Sequence, residues 1–98
     1  MEHGTGLKLA SLLEEVDGLD QQILSINREI AGLEGADVAF TELAPYIRRS
    51  ITPEECTSLS TTRRLRNERL GKKQEKLHEL RGKRGSKWAE FLQLLARM

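Results

Sequence analysis

Eight aliphatic residues, Leu9, Leu12, Val16, Leu19, Ile23, Ile26, Ile30 and Leu33, follow one another at alternating spacings of three and four. On an α-helix this alternation draws one stripe along one side, and a mean repeat of about 3.5 residues holds that stripe against a second helix for more than three heptads. Leu9, Val16, Ile23 and Ile30 take the a positions, and Leu12, Leu19, Ile26 and Leu33 the d positions. Such a segment folds by laying this seam against another helix. Its eight residues are the expected association seam.

The remaining chain supplies candidates for the facing helix. Gly35 follows the last seam residue, where a helix stop is expected. Asp37 can cap a short helix carrying Phe40, Leu43 and Ile47 on one face, with Pro45 near its end. Thr52, Pro53 and Glu55 form a strong start signal: a capping hydroxyl, a proline at the first helical position and a carboxylate three residues past the cap. Ile51 and Cys56 are spaced for a hydrophobic staple. Gly82 and Gly85 should end that third helix, and Ser86 can cap a last one bearing Trp88, Phe91, Leu92 and Leu95. The expectation is a single all-α domain with helices at about 7–34, 38–48, 53–82 and 87–97. Its fold would be an antiparallel long-helix hairpin or small helical bundle with coiled-coil character, dimeric because the seam is long for the cover one chain offers.

Charge is divided unevenly along the chain. Residues 1–47 carry nine acids against Lys8 and Arg28, a net of −7; residues 48–98 carry fourteen bases against six acids, a net of +8. On the third helix, Cys56, Leu59, Leu70 and Leu77 make a narrow apolar face with Leu80 at its edge. Beside it runs a basic band of Arg66, Arg69, Lys73, Lys76 and Arg84, with Lys72 at its margin. Three destinations for this band stay open: the acidic flanks of the heptad helix, a phosphate backbone, or solvent. The first is favoured by the heptad helix itself. In a parallel homodimer, its flanking Glu15 would meet Asp20 and its Glu29 would meet Glu34, both repulsive, so a basic antiparallel partner is preferred. The second would give salt-sensitive, largely sequence-independent binding. No aromatic residue lies between Tyr46 and Trp88 to stack on single-stranded bases, which leaves duplex RNA or DNA as the nucleic-acid candidate.

No catalytic residues are expected. His3, His78 and Cys56 have no metal-ligand spacing, and phosphate-cradling glycine loops and nucleophile elbows are missing. Residues 16–26, VDGLDQQILSI, resemble the opening helix of the all-α chorismate mutases, I-D-x-L-D-x-x-L-L-x-L. In that family an arginine of the active site follows four positions later, where this chain has Ile30, with Arg28 two residues early; Arg69 and Glu68 are the nearest approach to its second cluster. The resemblance therefore implies a similar three-helix shape without the catalysis. The layout of a small helical dimer with a basic helix is also similar to that of the RNA-silencing suppressors of insect viruses, with no shared residue motif.

One cysteine, no apolar run long enough for a membrane span, and no signal-peptide pattern in MEHGTG point to an intracellular, cytoplasmic protein. The expected role is that of a non-enzymatic helical interaction protein, an adaptor, scaffold or chaperone-like assembly subunit. Its partner would be a second copy or another helical protein, with no cofactor, metal, membrane or small-molecule substrate. The alternative is a dimer that binds duplex nucleic acid through residues 63–87, using Arg66, Arg69, Lys72, Lys73, Lys76 and Arg84.

Overall fold

The computed structural model describes residues 3–47 and 51–98. They form two helices packed against each other, α1 (His3–Ile47) and α2 (Pro53–Ala96). Two compact units divide the chain, one of Met1–Ile26 with Lys76–Met98 and one of Asn27–Glu75, so each holds a piece of both helices. In the first, Glu15 pairs with Lys87 and Asp20 with Arg84; in the second, Glu29 pairs with Lys73 and Asp37 with Arg63. Within each unit numbers rise on α1 as they fall on α2, which makes both helix pairs antiparallel. The second unit is a helical hairpin.

Two long helices replace the four shorter ones expected. The break at Gly35 is absent because the three-and-four spacing continues beyond Leu33 through Asp37, Phe40 and Ala44, all half-buried. Packing along that line offsets the roughly 1 kcal/mol that each helical glycine costs relative to alanine. Asp37 is thus a mid-helix residue and not a cap. The same holds for Gly82 and Gly85, and Ser86 caps nothing. Among the described residues no glycine has positive φ. Pro45 lies within α1 but two residues from its end, so the hydrogen bond it removes falls in the last turn. The expected helix end at residue 48 lies outside the described residues.

The start of α2 follows its sequence signal. The Glu55 amide donates to Thr52 Oγ1 at 3.2 Å, and the Thr52 hydroxyl donates to Glu55 Oε1 at 3.2 Å. This reciprocal cap leads into Pro53, which has no amide to satisfy.

In the first unit Leu9, Leu12 and Val16 of α1 and Leu77 and Leu80 of α2 are buried. Leu19, Ile23, Ile26, Phe91 and Leu94 are half-buried around them. In the second unit Ile30 is the buried residue, joined by half-buried Leu33, Phe40, Leu59 and Leu70. Near the connection between the helices, Phe40, Ala44, Pro45, Ile51, Cys56 and Leu59 line a common cavity. Ile51 is half-buried there, whereas Cys56 is exposed.

Candidate interaction surface

All eight residues of the heptad seam are buried or half-buried against α2. The facing line on α2 has its own unbroken alternation of four and three: Leu59, Arg63, Arg66, Leu70, Lys73, Leu77, Leu80, Arg84, Lys87, Phe91 and Leu94. Five of these eleven positions are Arg or Lys. The narrow apolar face and the adjoining basic band read from the sequence are therefore partly one line, with Arg66, Lys73 and Arg84 filling the gaps between its leucines. Arg63 and Lys87 belong to it too. They were missed by counting apolar residues alone, although spacing without regard to residue type would have found them.

Long basic side chains suit such positions because their methylene stems cover apolar surface while the charge reaches the edge. Four of them end on carboxylates of α1. Arg63 Nε donates to Asp37 Oδ1 at 2.9 Å and Arg84 Nε to Asp20 Oδ1 at 3.1 Å. Lys73 Nζ lies 2.7 Å from Glu29 Oε2, and Lys87 Nζ 3.3 Å from Glu15 Oε2. The hydrogen bond to Glu15, its charge and that of Glu90 hold the Lys87 ammonium above its usual pKa. All four pairs are partly exposed to solvent, so each contributes little to stability. Their effect lies in selection: they fit one antiparallel register and disfavour others.

Two aromatic contacts extend this pattern. The Arg63 guanidinium sits 5.6 Å from the centre of the Phe40 ring, and that of Arg84 5.3 Å from the centre of the Trp88 ring. Trp88 in turn stacks on Phe91, with centroids 5.2 Å apart.

Arg66 is the exception in the seam. Its Nη1 is buried and has no hydrogen-bond partner. A desolvated donor left unpaired costs about 1–3 kcal/mol, so Arg66→Met, which keeps the apolar stem, should stabilise the fold by about 1–2 kcal/mol in urea unfolding. A stability loss would show that the Arg66 charge is satisfied in solution.

The remaining cations of the sequence-predicted band point elsewhere. Arg69, Lys72 and Lys76 are exposed. Lys76 lies 3.9 Å from Glu79 on its own helix, while Arg69 and Lys72 make no ion pair among the described residues. Of the six residues named for anion binding, Arg69, Lys72 and Lys76 are exposed, Lys73 and Arg84 end on carboxylates of α1 while staying partly exposed, and Arg66 is half-buried in the seam. Among the described residues no cluster of His, Cys, Asp and Glu is arranged to hold a metal ion, and no helix is long and apolar enough to cross a membrane.

The fold and its seam define an antiparallel helix pair zipped by apolar and ionic layers. No protein-family model, curated protein or solved structure matches the chain.

Proposed function

We propose that the protein is a non-enzymatic helical interaction protein, acting as an adaptor, scaffold or assembly subunit, and that it associates as a homodimer with coiled-coil character. The observation that supports this most is incomplete cover of its apolar residues. Leu19, Ile23, Ile26 and Leu33 of the seam are only half-buried after α2 has packed, and Leu13, Leu24, Val38, Leu43, Leu65, Leu92 and Leu95 are exposed outside it. Helix surfaces of this composition are suited to a further helix. Sedimentation velocity of the full chain at micromolar concentration should give a species of twice the 11.1 kDa chain mass. A monomer that persists as concentration rises would sink self-association.

Binding of duplex nucleic acid is the second reading, and Arg69 and Lys72 favour it, being exposed cations without a carboxylate partner among the described residues. It is the weaker one because Arg66, Lys73 and Arg84 are committed to the seam. Gel shifts on duplex RNA and DNA over a salt series separate the two readings: retardation at low salt that fades steeply with added salt, and is lost in Lys72→Glu, would favour the second. We expect no retardation.

A further inference from the structure

One side of the first unit carries an apolar face, centred on half-buried Trp88, that its own two helices cover only in part. Trp88 directly follows the seam residue Lys87, and Leu92 and Leu95 lie four and seven residues beyond it, on the same side of α2. On α1, Leu13 directly follows the seam residue Leu12. The pairs Glu15–Lys87 and Asp20–Arg84 fix the register so that Leu13 lies across from Trp88 and Ala10 across from Leu92. Leu13, Leu92 and Leu95 are each nearly half exposed, at 45–46%. The same two stripes continue into charge: Asp17 and Asp20 on α1, and Arg81 on α2.

Charge selects the occupant. Beside the apolar face α1 carries Asp17 and Asp20, the latter held by Arg84 of its own chain, and α2 carries Arg81. A second copy turned about an axis along the helices lays its α1 over this α2, and its α2 over this α1, so both contacts join opposite charge. A two-fold across the helices would set α1 on α1 and acid on acid.

From this we infer that the Leu13, Trp88, Leu92 and Leu95 face seats the same face of a second copy, with α1 of each over α2 of the other. The inference rests on the self-association proposed above and assigns it a surface and an orientation.

Sedimentation of wild type and variants tests the surface. Leu92→Glu with Leu95→Glu should raise the dimer dissociation constant about 100-fold or more, since two apolar anchors become charged at the centre of the contact. Leu65→Glu, an equally exposed leucine of the second unit, should leave it unchanged. Circular dichroism should show full helicity in both. Emission of Trp88, the only tryptophan, should move to shorter wavelength as wild type is concentrated and stay fixed in the double variant. For orientation, Leu13→Cys and Leu92→Cys chains in a Cys56→Ser background are mixed under oxidising conditions, where crosslinks between the two different chains should predominate. Wild type that remains monomeric would overturn self-association altogether. A double variant that still dimerises would overturn this face alone, and crosslinks of Leu13→Cys chains to one another would overturn the orientation.

Discussion

Replacing Leu80 by alanine is expected to cost about 2–5 kcal/mol of stability, the range for removing a fully buried leucine side chain where the surroundings relax only in part. Leu80 is the most buried large residue described, at 2% exposure. It lies on the α2 seam between Leu77 and Arg84, in the unit that also holds buried Leu9, Leu12 and Val16. The loss would be a large share of the total. Small domains have only about 5–15 kcal/mol in hand, and for a chain of this length each kcal/mol corresponds to roughly 4–8 °C in Tm. A thermal melt followed by circular dichroism should therefore show a drop of roughly 10–30 °C. Leu43→Ala serves as the comparison, because Leu43 is more than half exposed and substitutions at such sites stay within about 0.5 kcal/mol. Should Leu80→Ala melt like Leu43→Ala, the seam would not be the core.

The contrast between Leu80 and its neighbours on the same line explains what was legible in the sequence. On α1 every seam position from Leu9 to Leu33 is aliphatic, so periodicity and hydrophobicity coincide and the seam reads directly. Beyond Leu33 they part company. Asp37 keeps the spacing but looks like a cap, and Gly35 looks like a stop, so the helix was expected to end where it continues. Nothing local to Asp37 reveals that its carboxylate meets Arg63, twenty-six residues away. On α2 the same separation affects half the line: Arg63, Arg66, Lys73, Arg84 and Lys87 hold seam positions with charged heads, and an apolar count sees only a thin stripe. The charge split between the two halves of the chain was the legible trace of these contacts. It indicated that α1 prefers a basic antiparallel mate, which both units contain. The residue-level pairing depends on register, and that is set by packing along the whole seam. Thr52 to Glu55 was legible for the opposite reason, because both hydrogen bonds of this cap lie within four residues.

If the basic seam residues act mainly in selection, removing them should raise stability while lowering specificity. The quadruple replacement of Arg63, Lys73, Arg84 and Lys87 by leucine is expected to stabilise the helix pair by about 2–4 kcal/mol, since partly exposed ion pairs contribute little and apolar replacements of paired charges are often neutral or stabilising. The gain is reduced by the loss of the Arg84–Trp88 and Arg63–Phe40 contacts, each worth about 0.5–1 kcal/mol at exposed sites. In urea unfolding the midpoint should move to higher denaturant. Sedimentation should at the same time give a spread of species, because an all-apolar line on α2 accepts α1, another α2 or a shifted register, and Glu15, Asp20, Glu29 and Asp37 lose the groups that identify their mate. Lower stability with a single sharp species would instead mean that the four pairs hold the fold together by more than leucine burial could replace. The two readouts are expected to move in opposite directions because one line of residues carries both terms: Leu77 and Leu80 supply adhesion that any apolar helix could share, and the cations between the leucines restrict that adhesion to α1.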